Sequence, residues 1–156
     1  CKFACQITMR KPDNYQAYTR KRAQLLLIVT LVFMGLGSVS ELYLLGHYED
    51  NWQLLPLVLI GVSLAVFTLI QWKASTILVV VFKGLMLASV FSGLLGSWFH
   101  LRANMDFEAE LHPTSSGGTF LWKSLGGALP TLAPGSMIVF GLIGFLYSLL
   151  IIKQSK

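Results

Sequence analysis

Four long runs of apolar residues, separated by shorter polar segments, set the pattern of this chain. They lie at about residues 23–45, 52–70, 74–101 and 135–152. An α-helix rises about 1.5 Å per residue, so roughly 20 apolar residues cover the hydrocarbon core of a bilayer. The pattern therefore predicts an all-α membrane protein with four transmembrane helices in an antiparallel bundle. The spans form one domain, residues 23–153, after a basic N-terminal segment, residues 1–22.

The composition supports this class and excludes several others. Hydrophobic residues make up 54% of the 156 residues and charged residues only 12%, and the mean hydropathy is +0.66. Soluble domains carry roughly 25% charged residues, so disorder, a coiled coil and a soluble enzyme are excluded. Phosphate-binding loops, dinucleotide fingerprints and nucleophile elbows are missing from the sequence. We therefore expect no enzymatic activity and no cofactor.

Two ionisable residues lie inside the predicted spans. Lys83 is placed well inside the third run and Glu41 near the far end of the first. A central Lys costs roughly 2.5–3.5 kcal/mol of insertion free energy, whereas the aliphatic and Phe residues around it contribute about −4 to −8 kcal/mol. The third span should therefore insert. Lys83 either extends its amine to the headgroups or meets a partner acid or lipid phosphate in a larger assembly. Glu41 either reaches water or pairs with a His, and it could relay a proton to His47.

The distribution of basic residues predicts the orientation of the spans. With the N-terminus inside, nine of the twelve Lys and Arg residues lie on the inner side, and the outer loops hold only Arg102 and Lys123. Both termini are then cytoplasmic, most simply in a bacterial inner membrane. Arg20, Lys21 and Arg22 precede the first span and are expected to contact lipid headgroups. Because these charges form no basic stripe interleaved with aromatics, nucleic acid is not an expected partner.

Small residues at four-residue spacing predict where the helices pack. Such residues allow close approach of helix backbones inside a membrane. Four-residue spacing occurs in the second and third spans, at Gly61 and Ala65 and among Ser89, Ser92, Gly93, Gly96 and Ser97, and the first and fourth spans also carry small residues, at Gly35, Gly37 and Ser38 and at Gly141 and Gly144. Packing within the chain is favoured over a homodimer. We also expect Asn51 to cap the second helix, with Pro56 in its first turns.

The long outer loop, residues 102–134, has a composition of its own. Residues 100–111 are expected to continue the third helix beyond the membrane until Pro113 ends it. A turn at residues 115–118 should follow. Residues 120–129 then favour a short interfacial or re-entrant helix, with Leu121, Leu125 and Leu129 on one side and Trp122 near the headgroups.

A polar column on this outer side offers candidate chemistry. His100, Asn104 and Glu108 are four residues apart and share one face of a helix, and His47 leaves the first span at similar depth. Imidazole and carboxylate groups bind divalent metals such as zinc, nickel or copper. The cluster is interpreted as a solvated polar face, as a metal or cation site, or as a docking surface for another protein.

Three stretches resemble a group of small, uncharacterised bacterial integral membrane proteins with four spans. They are GHYED at 46–50 followed by WQLLPL at 52–57, FHLRAN at 99–104 with FE at 107–108, and ALP at 128–130 leading into LAPG at 132–135. The likeness covers roughly residues 25–147. It implies a four-span fold and a shared outer polar cluster, and it implies no activity or catalytic residue.

The expected function is that of a non-enzymatic accessory or scaffold subunit within a larger membrane complex. Its partners would be the lipid bilayer and other membrane protein subunits. The alternative is a module that binds or transports a metal or small cation at His47, His100, Asn104 and Glu108. A third hypothesis, a membrane-embedded enzyme or quinone-handling redox protein, has only the aromatic surfaces and the pair Glu41 and His47 as support.

Overall fold

The computed structural model describes residues 12–73, 75–114 and 117–152, and every regular element in those ranges is a helix. The five helices, numbered in chain order, are α1 (Pro12–Leu44), α2 (Asn51–Trp72), α3 (Thr76–Leu111), α4 (Gly117–Leu125) and α5 (Gly135–Ile152). Within the described ranges, α1, α2 and α3 are long and apolar enough to cross a membrane, and α5 is apolar but shorter. The predicted all-α fold is therefore confirmed for the described residues, and three of its helices have the length and composition of membrane spans.

The contacts between helices define two ends of the molecule. At one end, the Arg20 guanidinium of α1 donates to the Leu150 carbonyl of α5 over 2.9 Å, and Gln71 of α2 donates to the Tyr147 hydroxyl over 2.8 Å. We call this the terminal end. At the opposite end lie the turn 45–50 and the described parts of the connection from α3 to α5, residues 112–114 and 117–134, and there Trp52 contacts Phe99. We call this the loop end.

The most extensive helix contact joins α3 and α5, and glycines make it close. A Cβ atom at Gly141 would lie 2.5 Å from the Met86 carbonyl oxygen, and one at Gly93 would lie 2.8 Å from the Pro134 carbonyl oxygen. Gly144 contacts Met86 and Leu31. The predicted packing role of these small residues is confirmed. Gly37 and Gly61, in contrast, have no neighbour within 4 Å of a Cβ position, so their predicted role in packing within the chain is wrong.

The core is concentrated toward the terminal end. Phe67 of α2 lies with its ring centroid 5.9 Å from Phe82 of α3 and 5.3 Å from Tyr147 of α5. Leu31, Met86 and Phe140 are fully buried. The outward faces of the helices are covered with large exposed apolar side chains, which is the arrangement expected when hydrocarbon surrounds the molecule.

The ends of two helices add to the prediction or correct it. The helix of the first span begins at Pro12, before the predicted start of the span at residue 23, so polar residues of the N-terminal segment are helical. Asp50, not Asn51, caps α2, because its carboxylate accepts from the N–H groups of Trp52 at 2.6 Å and Gln53 at 3.2 Å.

After the third span, the predicted extension of α3 and the predicted short helix are present, but the predicted turn between them is only partly tested and partly wrong. The extension of α3 to Leu111 is confirmed. The short helix α4 exists, but it begins at Gly117 with φ +66° and ends at Leu125, so the predicted turn at residues 117–118 is wrong. The rest of that turn, residues 115–116, lies outside the described residues, as do residues 1–11 of the basic segment and residue 153 of the predicted domain.

Candidate functional site

A tight turn brings His47 back toward α3. After Leu44, Gly46 adopts φ +66°, a left-handed conformation that favours glycine, and the His47 N–H donates to the Leu42 carbonyl over 2.9 Å. The imidazole rings of His47 and His100 then lie 6.4 Å apart between centroids, at 68° to each other. The expectation that the two histidines arrive at similar depth is confirmed.

His100 is also tied to the loop that follows α4. Its Nδ1 lies 3.1 Å from the Pro130 carbonyl oxygen. Because a carbonyl oxygen only accepts hydrogen bonds, Nδ1 carries the proton in this contact, and Nε2 of the neutral ring is an acceptor. The loop therefore determines which tautomer His100 presents.

Asn104, one turn further along α3, fastens the same loop through three hydrogen bonds. Its amide nitrogen donates to the Leu129 carbonyl over 2.7 Å and to the Thr131 hydroxyl over 3.1 Å, and its amide oxygen accepts from the Leu129 N–H over 2.9 Å. The side chain is only 2% exposed. Gly127 is needed for this approach, since a Cβ atom there would lie 2.6 Å from the Asn104 Cγ.

Glu108 fastens α4. One carboxylate oxygen lies 3.1 Å from the Lys123 ammonium and 3.0 Å from Nδ1 of His112, and the Glu108 side chain is 12% exposed. His112 contributes an ion pair only when it is protonated. Because the pair with Lys123 joins α3 to α4, Glu108 and Asn104 hold successive parts of the connection against the same helix.

The loops enclose a cavity of about 730 Å³ at the loop end. Its walls come from the last turns of α1, the turn 45–50, the start of α2, the middle of α3 and residues 129–137. Leu95, Phe99 and Met137 are among its apolar lining residues, and Glu41 and the two histidines are among the polar ones. Small-molecule sites have volumes of roughly 300–1,000 Å³ and combine an apolar lining with a few polar groups. The cavity meets both criteria.

The predicted metal ligands are only partly brought together. His47 and His100 are neighbours, whereas Asn104 bonds the loop backbone and Glu108 pairs with Lys123. In the described ranges, no three His, Cys, Asp or Glu side chains are grouped closely enough to hold a metal ion. A metal at these four residues stays a prediction whose geometric support is limited to the two imidazoles.

The remaining predicted polar residues have distinct surroundings. Glu41 lines the cavity. The Lys83 ammonium lies 4.9 Å from the centroid of the Phe145 ring, a cation–π contact inside the chain. At the terminal end, Arg20 is bonded to Leu150, the Arg22 guanidinium lies 4.3 Å from the Tyr18 ring centroid, and Lys21 is exposed. Contact of these three basic residues with headgroups stays a prediction.

Sequence reasoning missed the part of the site that comes from the backbone and the aromatic wall. Trp52 contacts Phe99 edge to face, with centroids 5.7 Å apart, and Pro130 supplies the carbonyl that binds His100. A Trp at the start of an apolar run is common at a membrane interface, so Trp52 by itself gives no sign of this contact. No family model, curated protein or solved structure matches the chain.

Proposed function

We propose that this protein is a non-enzymatic accessory subunit of a larger membrane complex. In this proposal it is a four-span antiparallel bundle in a bacterial inner membrane, with both termini cytoplasmic, like the small four-span proteins it resembles. The shorter helix α5 crosses the bilayer as the fourth span, together with α1, α2 and α3. The α4 helix, whose Trp122 is 78% exposed, lies along the opposite membrane surface.

The observation that carries the proposal is a pair of small-residue motifs left uncovered by the bundle. Gly61 and Ala65 of α2 are exposed, and so are Gly84 and Ala88 of α3. Cβ atoms at Gly61 and Gly84 would meet nothing within 4 Å. Small residues at four-residue spacing are typical of helix–helix interfaces in membranes. The glycines that pack inside the chain are a different set, so these two pairs are available to helices of a partner.

A mild-detergent extraction from native membranes tests this proposal. The wild-type chain should copurify with other membrane proteins in fixed stoichiometry, and Gly61→Leu should weaken that association. Gly61 has open space around it, so the leucine should leave the fold of this chain intact. Val62→Leu, at an exposed neighbouring position, is the matched control and should keep the partners. Recovery of the wild type as a stable lone monomer would contradict the proposal.

The alternative, a module that binds a divalent metal or small cation, keeps one supporting observation. His47 and His100 lie within reach of a shared ion, and imidazole is a common metal ligand. Calorimetric titration with zinc, copper and nickel tests it directly. Saturable binding that His47→Ala and His100→Ala each abolish would favour it, whereas identical heats for wild type and both variants would remove it.

A further inference from the structure

The polar side of the cavity at the loop end includes two hydrogen-bond acceptors, on His100 and Glu41, that no hydrogen bond found among the described residues engages. Nε2 of neutral His100 accepts, because Pro130 holds the proton on Nδ1. The carboxylate of Glu41 also accepts, and among the described residues no hydrogen bond or ion pair of this side chain is found. The second carboxylate in the lining, that of Asp50, is already engaged by the N–H groups of Trp52 and Gln53.

The charges of the lining have one sign. Glu41 and Asp50 are acidic, and no described lining residue is Lys or Arg. The rest of the surface is mainly apolar and includes Leu95, Phe99 and Met137. A ligand with an apolar body and a positively charged head that donates hydrogen bonds is therefore complementary to the acidic charge and the acceptors of these walls.

We propose that the cavity binds a single-chain amphiphile with a primary ammonium head. The ammonium donates to the Glu41 carboxylate and to Nε2 of His100, and the hydrocarbon chain lies against the wall formed by Leu95, Phe99 and Met137. A primary ammonium has three donors, so it can satisfy both acceptors at once. His47, whose ring is 6.4 Å from that of His100, borders the head. This site is on a different surface from the exposed small-residue pairs.

The test compares three probes that share a chain and differ in the head: dodecylamine, dodecanol and dodecanoate. Each is titrated into the full chain in detergent micelles, and bound probe is counted by native mass spectrometry. We expect one dodecylamine per chain, weaker binding of dodecanol and weakest binding of dodecanoate. Equal occupancy by all three would overturn the proposal, because it would show a site for hydrocarbon alone, and so would the absence of a dodecylamine adduct.

Two variants then locate the head. Glu41→Gln keeps the shape of the side chain and removes its charge, so dodecylamine affinity should fall about tenfold or more, as expected for loss of a charge-assisted hydrogen bond. Glu49→Gln removes an exposed acid of the adjacent turn that is outside the lining and should leave affinity unchanged. Equal losses in both variants, or no loss in Glu41→Gln, would overturn the assignment.

The source of the ammonium is resolved by a fourth probe. Lysophosphatidylethanolamine carries a primary ammonium on an ethyl group that is esterified to a phosphate, and its titration is compared with that of dodecylamine. Tighter binding that depends on Glu41 assigns the site to a phospholipid head, and weaker binding that depends on Glu41 assigns it to a free alkylamine. If dodecanol displaces both probes as well as unlabelled dodecylamine does, recognition of the ammonium is excluded.

Discussion

The terminal end and the loop end of this molecule differ in how closely the chain packs against α3. Toward the terminal end, α3 and α5 meet so closely that Gly141 and Gly144 leave no room beside Met86, and Phe67, Phe82 and Tyr147 fill the remaining space. Toward the loop end, the chain between α4 and α5 is held to α3 by polar side chains, and a cavity of about 730 Å³ lies beneath it. The terminal end is closed by tightly packed side chains, whereas at the loop end hydrogen bonds hold a loop over a cavity.

The difference follows from the chain that leads into α5. Pro130 and Pro134 prevent a helix from continuing through this connection, so α5 begins only at Gly135. The backbone ahead of it needs other partners for its polar groups, and Asn104 and His100 supply them. Because a loop held in this way cannot interdigitate like a helix, space remains between it and α1.

The largest loss of stability is expected from a substitution of Asn104 at the loop end. Asn104→Ala removes three hydrogen bonds and leaves the N–H and carbonyl of Leu129 without their partner, each at a cost of about 1–3 kcal/mol. We expect the free energy of unfolding to fall by about 2–4 kcal/mol, measured by titration with dodecyl sulfate in mixed micelles. Thr131→Val removes only one of the three bonds and should cost clearly less. Equal losses would show that Asn104 does not act through Leu129.

A slightly smaller loss of stability is expected from a substitution at the close contact between α3 and α5. Gly141→Ala places a methyl group against the Met86 carbonyl and should lower the free energy of unfolding by about 1–3 kcal/mol. Gly84→Ala is the matched control on α3, since a Cβ atom there meets nothing, and alanine is the better helix former by up to about 1 kcal/mol. The two variants should shift the unfolding midpoint in opposite directions.

A third experiment compares the stability change caused by Ser→Val at two positions of α3. Ser89 is fully buried in the packed core, and Ser92, three residues further along the chain, lines the cavity. Ser89→Val adds bulk where there is no space and should destabilise by about 1–2 kcal/mol. Ser92→Val extends into the cavity and should change stability by less than about 0.5 kcal/mol. Equal losses in unfolding titrations would mean that the cavity is closed in the membrane-like environment.

The sequence predicts the helices better than it predicts their edges. Apolar runs mark where the chain meets hydrocarbon, so the spans from α1 to α3 and the start of α5 follow from them. They carry no information on how far a helix continues in water, which is why the start of α1 at Pro12 was missed. Capping depends on which side chain reaches the free N–H groups, and a choice between Asp50 and Asn51 needs the geometry of the turn.

The candidate site shows the same limit more strongly. The approach of His47 and His100 follows from counting residues along spans that traverse the same thickness. The role of Asn104 does not, because its partners Leu129 and Thr131 are 25 and 27 residues away in the chain. A polar residue in a helical column has the same local pattern whether it binds a metal or fastens a distant loop, so only the folded backbone distinguishes the two.

The smallest effect is expected at the outermost attachment, where Glu108 pairs with Lys123. Lys123 is 42% exposed and solvent screens the pair, so Glu108→Gln should cost only about 0.2–1 kcal/mol of global stability. Its effect should instead be local, because the pair is a polar link between α4 and α3. Hydrogen exchange of the α4 amides should become faster, while exchange in α5 stays unchanged. Glu110→Gln, at an exposed acid two residues on, is the control and should alter neither. If exchange rises equally in α4 and α5, the connection and the packed core open as one unit. The terminal end and the loop end would then not differ in how they are held together.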